Sequence, residues 1–197
     1  MAVIGVALNF RESLRAIAAP PLSPVLYLKT PNTWINSGDP IPCPASSTHL
    51  RVAGTLGVVI ARPACRVSAA DAPGYIAGYT VVNDVSIPHD SLYRPAIRQR
   101  CSDGFCSIGL TCLCEPQADF EIGVVITNVL RCFAHTASLV RPIAELMRDI
   151  SEFMTLHPGD ILLVGEPDNS PLAAPGDLVR VEIPGVGAIE NKVVSAA

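Results

Sequence analysis

Eighteen prolines and fourteen glycines interrupt this chain so often that little of its length can run as continuous helix. Proline removes a backbone donor and blocks helical continuation, and glycine supplies the turns, so the intervals between them suit short extended segments. Apolar runs at 3–9, 25–29, 51–60, 79–82, 121–130, 161–164 and 178–183 read as strands bounded by turn residues. One stretch escapes the pattern. Residues 136–156 carry Leu139, Val140, Ile143, Leu146, Met147, Ile150, Phe153 and Met154 at helical spacing, with the helix proper expected from Pro142. A shorter helical spacing at 10–18 puts Phe10, Leu14 and Ile17 on one face before Pro20, Pro21 and Pro24 end it. Pro40, Pro42 and Pro44 predict an extended connector rather than a ladder strand. Ser68 is a plausible N-cap for a short helix near 69–72, and Gly78, inside a strand, marks a bulge or close packing. The expected class is α+β, β-rich, with few helices, as one domain over 1–197 whose first 24 residues form a small N-terminal segment.

Apolar residues make up 49 % of the chain and charged residues 16 %, too little charge to cover a lone domain, which predicts a buried partner surface. A net charge of −4 without a Lys/Arg run excludes a nucleic-acid footprint. No segment reaches the roughly 18–20 apolar residues of a membrane span, and the apolar start at 1–8 lacks the basic leader and length of a signal peptide. Seven cysteines in no regular framework read as reduced thiols in a cytoplasmic protein, and Cys112-x-Cys114 is not a zinc spacing.

The chemistry concentrates between Tyr79 and Leu110. A strand runs into Asn83-Asp84, and a polar loop follows with His89, Asp90, Arg94, Arg98, Arg100 and Asp103 before Gly104-Phe105-Cys106. A strand-borne carboxylate beside a cation-rich loop suits a small anionic ligand. The residues equally allow Asp84 as a strand cap with solvated arginines. A Cys106–His89 nucleophilic pair has only co-occurrence behind it, and a buried free thiol is the commoner fate.

Asn83-Asp84-Val85-Ser86, followed by Asp103-Gly104-Phe105-Cys106-x-Ile108-Gly109, resembles the fumarylacetoacetate hydrolase family. The string YRPAIRQRC-x-DGFC is similar to the N-terminal half, or separate N-terminal subunit, of that family's isomerase/decarboxylases of bacterial 4-hydroxyphenylacetate (homoprotocatechuate) degradation. The likeness extends from 6–14 to 185–191. It implies the family's C-terminal-like β-roll. It also implies decarboxylation of 5-oxopent-3-ene-1,2,5-tricarboxylate or isomerisation of 2-hydroxyhepta-2,4-diene-1,7-dioate. The expected assembly is a homodimer, or a heterodimer with the C-terminal-half homologue.

The departures from the family pattern are chemical. Metal-using relatives carry Glu-x-Glu on one strand and an aspartate on the next, because residues i and i+2 share a face and two carboxylates there can hold a hard cation. Here Ala53 and Thr55 stand at the glutamate positions, so Asp84 is a remnant, and the Mg2+ that the resemblance implies is expected to bind weakly or not at all. The lid histidine of Asn-Tyr-x-x-His is Ser13, and a serine moves no proton near neutral pH without a base beside it. The family's lysine before Asp-x-Phe-Cys is Arg100, with Asp103 and Cys106 retained. Arg100 and Asp103 are the catalytic candidates, and Lys29, Arg94 and Glu166 the substrate-binding ones. Arginine stays charged, so Arg100 suits a carboxylate or an enolate rather than proton transfer. Glu166 replaces a threonine near the substrate carboxylate and would repel a dianion unless protonated or paired with Arg94 or Arg100. Val129 and Cys132 replace the glycine and glutamine of a family hairpin, predicting a strained turn. These losses leave a second expectation open, a catalytically silent partner that supports a metal-bearing homologous subunit.

Overall fold

A computed structural model describes residues 1–16, 19, 21–89, 96–113 and 119–196. Thirteen strands run through them: β1 (Val3–Ala7), β2 (Val25–Lys29), β3 (Trp34–Ile35), β4 (Ile41–Cys43), β5 (Leu50–Ile60), β6 (Ile76–Ser86), β7 (Cys106–Ile108), β8 (Glu121–Ile126), β9 (Val129–His135), β10 (Ile161–Leu163), β11 (Leu172–Ala173), β12 (Leu178–Ile183) and β13 (Gly187–Ser195). Two α-helices accompany them, α1 (Ile97–Arg100) and α2 (Ile143–Ser151). The class is α+β and β-rich, as expected.

The strands make two sheets, one in the order β2-β1-β10-β5-β6-β7-β3 with β11 also on β5, the other β4-β13-β12-β8-β9. The long pair β5–β6 is the spine, antiparallel from Arg51 opposite Ser86 to Ile60 opposite Ile76. Almost every residue of both is buried. A strand covered on both faces reads as a continuous apolar run, which is why 51–60 and 79–82 stood out without alternation. On one face Leu56, Val58 and Val81 pack toward Val124, Val181 and Ile189 of the second sheet. Each fully buried side chain of this kind contributes roughly 1.5–3 kcal/mol. By contrast β12 alternates, with Val179, Val181 and Ile183 buried and Leu178, Arg180 and Glu182 exposed. Gly78 is needed for contact: a Cβ there would lie 2.3 Å from the Cys112 carbonyl oxygen, whose strand segment bridges to Tyr79.

Several local expectations change. Ile41–Cys43 is a strand, paired in parallel with β13 from Ile41 opposite Val193 to Cys43 opposite Ser195. It lies at a sheet edge, where Pro42 lacks a donor that no second neighbour requires. The hairpin of β8 and β9 is turned by Thr127 (φ 48°) and Asn128 (φ 66°), while Val129 is already in the ladder opposite Ile126. The irregularity falls instead between Val124 and Val125, whose partners Cys132 and Leu130 skip Arg131. The segment 136–138 is a 3-10 turn, and Leu139 forms an isolated bridge with Phe10. Helix begins only after Pro142, as its missing N–H allows, and buries Leu146, Met147 and Ile150. Phe153, past the helix end, is exposed. The N-terminal helical spacing becomes a 3-10 helix over Arg11–Ala16. The turn after Ser68 is closed by its hydroxyl donating to Asp71, ahead of a 3-10 helix at Ala72–Tyr75.

Candidate active site

Asp84 stands on β6 opposite Ala53 on β5 and Cys106 on β7, so these three side chains share one face, with Thr55 two residues along. Four strand intervals separate β6 from β2 in the sheet order. At about 4.8 Å per interval a flat sheet would hold them roughly 19 Å apart. Yet Lys29 Nζ on β2 lies 2.6 Å from Asp84 Oδ1. The sheet coils until its edge strand returns to its middle, and this closure makes the site.

Both charges of that pair are fully buried. The Lys29 ammonium also donates to the carbonyls of Val85 at 2.7 Å, Arg100 at 2.9 Å and Phe105 at 3.0 Å. Lys29, expected on the substrate, is therefore engaged with the protein on every hydrogen. Tyr27, two residues before it and on the same strand face, donates its hydroxyl to Asp84 Oδ2. The ring crosses β1 where Gly5 stands opposite; a Cβ at Gly5 would sit 2.1 Å from Tyr27 Cζ. Burial first, and then the charges of Asp84 and Glu166, push the Tyr27 phenol well above its usual value.

Arg100 lies at the end of α1, with its guanidinium 4.1 Å from the Tyr27 ring centroid. Its Nη2 pairs with Glu166 Oε1 at 2.6 Å, so Glu166 is paired in one of the two ways its position demanded. Its Nη1 is buried and makes no hydrogen bond among the described residues; Asp84 Oδ2 is 3.6 Å away, an ion-pair distance beyond hydrogen-bond length. Burial alone would lower the Arg100 pKa, but Tyr27, Glu166 and Asp84 together raise it. Burial, then Asp84, raises Glu166, with Arg100 and Lys29 opposing.

Glu166 follows β10, and Asn9 holds that segment in place. Its amide donates to Val164 O at 2.7 Å and to Arg141 O at 3.1 Å, while its oxygen accepts from Arg141 N at 3.0 Å. Cys132 Sγ meets Asn169 Oδ1 at 3.1 Å on the far side of the same loop. Ser13 is buried, and a lone hydroxyl there supplies no base.

Asp103 stands apart from this group. It is exposed and accepts from Asn32 Nδ2 at 2.7 Å, and none of its hydrogen bonds or ion pairs reaches Asp84, Arg100 or Glu166. Its observed work is tying its loop to the chain after β2. Arg94 lies outside the described residues. Cys106 is buried beside Lys29 and Asp84, and burial pushes its thiol up to about 12, which removes it as a nucleophile. Tyr27 and Asn9 carried no signal as site residues, although Gly5 inside a strand and the shared face of residues 27 and 29 pointed toward a close approach.

A coiled sheet holding a strand carboxylate against cations defines the class. Residues 2–194 match the model of the fumarylacetoacetate (FAA) hydrolase C-terminal domain, and the chain belongs to that family. It is 40 % identical to the Escherichia coli homoprotocatechuate catabolism bifunctional isomerase/decarboxylase over 98 % of this chain and 47 % of that protein. The chain thus spans about half the length of the curated relatives it matches first. Among solved structures, 2-hydroxyhepta-2,4-diene-1,7-dioate isomerase from Mycobacterium marinum superposes with a TM-score of 0.86 at 31 % identity, over 100 % of this chain and 75 % of that one. The fumarylpyruvate hydrolase from Pseudomonas aeruginosa, solved with Mn2+ and pyruvate, shares the fold with a TM-score of 0.89 at 19 % identity, over 100 % of this chain and 90 % of that one.

The family binds divalent metals, but the residues at this site do not fit one. Asp84 has alanine across from it and a threonine next along, where a hard cation needs carboxylates. Its Oδ1 already faces an ammonium, and its Oδ2 takes the Tyr27 hydroxyl. Among the described residues no group of three His, Cys, Asp or Glu side chains could hold an ion.

Proposed function

We propose that this chain is an isomerase/decarboxylase-type enzyme that binds a small 2-oxo or 2-hydroxydienoate di- or tricarboxylate and stabilises the dienolate with fixed cationic charge. The substrates of choice are 5-oxopent-3-ene-1,2,5-tricarboxylate and 2-hydroxyhepta-2,4-diene-1,7-dioate. One observation carries the reading. Arg100 is a nearly buried guanidinium, stacked on Tyr27, whose Nη1 makes no hydrogen bond among the described residues and lies 3.6 Å from Asp84 Oδ2. A desolvated, permanently charged donor with a free N–H is what a developing enolate oxygen or a substrate carboxylate requires. On the β5 face that Ala53 shares opposite Asp84, the Thr55 hydroxyl is buried without a hydrogen-bond partner among the described residues, and it is a second donor for the same ligand. Loss of CO2 or of a proton leaves electron density on the oxygen of the substrate's oxo or enol group, and Arg100 Nη1 neutralises it there. Lys29 and Asp84 act by holding Tyr27 and Arg100 in place, so divalent metal is weakly bound or unnecessary in this subunit.

The test is decarboxylation and isomerisation by the purified chain, in EDTA and with added Mg2+, for the unmodified protein and Arg100→Lys. Removing the planar fork while keeping charge should lower kcat/KM by about 10²–10³, the size expected for one oxyanion-stabilising donor. Full activity in Arg100→Lys would refute the assignment.

A second reading is favoured by the balance of charge: Lys29 and Arg100 are matched by Asp84 and Glu166, leaving no net cation for a polyanion. In that reading the subunit is catalytically silent and supports a metal-bearing homologue, and activity appears only in the mixed assembly. Pairing of either kind, homodimer or heterodimer, is supported by edge strand β9, which exposes Val129, Leu130 and Phe133. A cytoplasmic setting belongs to the same proposal; no helix among the described residues is long and apolar enough to cross a membrane, and six described cysteines are unbridged.

A further inference from the structure

An isomerisation must move a proton from oxygen to carbon, and the groups around Arg100 differ sharply in their capacity to do so. The Lys29 ammonium is enclosed by Asp84 and three carbonyl oxygens. Asp84 has both oxygens engaged, by Lys29 on one side and by Tyr27 on the other, and is fully buried. The Tyr27 phenol is committed to Asp84 and pushed upward by burial. Cys106 is shut in the sheet. Arg100 does not lose its proton. Ser13 replaces the family's lid histidine with a hydroxyl.

Glu166 differs from all of them. It is bound at one oxygen only, Oε1 to Arg100, and its Oε2 makes no hydrogen bond among the described residues. Its side chain keeps 12 % of its surface, whereas those of Lys29 and Asp84 keep none. The charged and titratable groups that act on it are Arg100 from α1, Asp84 from β6, and Lys29 and Tyr27 from β2. Burial and Asp84 hold its carboxyl above the ordinary value, with Arg100 and Lys29 opposing. The Asn9 clamp on Val164 and Arg141 fixes the segment that presents it.

Resting on the anion-binding reading above, we infer that Glu166 is the proton carrier of this site, taking the proton from the enol oxygen of a bound 2-hydroxydienoate and returning it to carbon at the far end of the diene. The O–H bond breaks and its electron pair forms the C=O bond. The two double bonds shift by one position, and the terminal electron pair takes the proton from the Glu166 carboxyl. The carboxylate is restored, and no other reactant enters. In the dienolate between the two transfers the oxygen charge lies against Arg100 Nη1, and Glu166, now neutral, no longer opposes it. The glutamate that would repel a dianion is thus uncharged at the moment when the charge beside it is greatest.

The experiment uses 2-oxohept-3-enedioate, the isomerised form, as the probe. Exchange of its C5 protons in D2O is followed by NMR, and its binding by calorimetry, for the unmodified chain, Glu166→Gln and Glu166→Asp, with melting curves to verify folding. The unmodified chain should bind the probe and exchange those protons. Glu166→Gln should bind it at least as well and exchange at least about 100-fold more slowly, and Glu166→Asp should recover part of the rate because it keeps the carboxyl. Exchange by Glu166→Gln within about threefold of the unmodified rate overturns the inference. So does an unmodified chain that binds the probe without exchange, which leaves the anion-binding reading standing. Failure of the unmodified chain to bind at all removes both.

Discussion

Replacing Asp84 by asparagine preserves shape and removes one charge, and its effect separates two views of the Lys29–Asp84 pair. Were the pair at the surface, its loss would be worth about 0–1 kcal/mol. Here both side chains are fully buried, 2.6 Å apart. The asparagine leaves an ammonium in the interior with three carbonyl acceptors and no counter-ion. Breaking a buried pair from one side costs about 3–5 kcal/mol. At about 2–4 °C per kcal/mol for a chain of this size, the melting temperature should fall by roughly 6–20 °C. Removing the stranded charge as well, in Lys29→Met/Asp84→Asn, should recover a large part of that loss. The assay is urea and thermal unfolding of the two single variants and the double variant, read as a double-mutant cycle. Asp84→Asn melting within about 2 °C of the unmodified protein would show that the pair does not close the sheet.

Gly5→Ala introduces a Cβ 2.1 Å from Tyr27 Cζ, and the ring must leave Asp84 and the Arg100 guanidinium. A loss of about 1–3 kcal/mol in unfolding experiments is expected, with activity falling further than in Tyr27→Phe, which keeps the ring stacked. Iodoacetamide at pH 8 should label exposed Cys65 and spare Cys106 in the folded protein. The sign follows from a thiol pushed up to about 12: at pH 8 it stays protonated and therefore unreactive. Peptide mapping by mass spectrometry reads the result, and rapid labelling of Cys106 would contradict its burial.

Much of this architecture is local in origin and was readable along the chain. Proline and glycine spacing excluded long helices, and apolar runs bounded by turn residues marked β5, β6 and β12, because each signal depends on residues a few positions apart. The absence of carboxylates at Ala53 and Thr55 and the need of Glu166 for a cation were likewise matters of residue type and strand period. Other features depend on partners far away in sequence. Pro42 is acceptable in a strand only because β4 has a single neighbour, contributed by residues near the other end of the chain. Thr127 and Asn128, rather than Val129, take the left-handed turn because the ladder register places the bulge at Arg131. Lys29 looked available for a ligand from its strand alone, but a sheet that coils through four strand intervals carries it to Asp84 and consumes all its donors. Which chemical groups the site can contain was therefore set by the sequence itself, whereas which of them remain free to meet a ligand was decided by closure of the sheet, since pairing at 3 Å between residues 55 or more positions apart is a property of the assembled backbone.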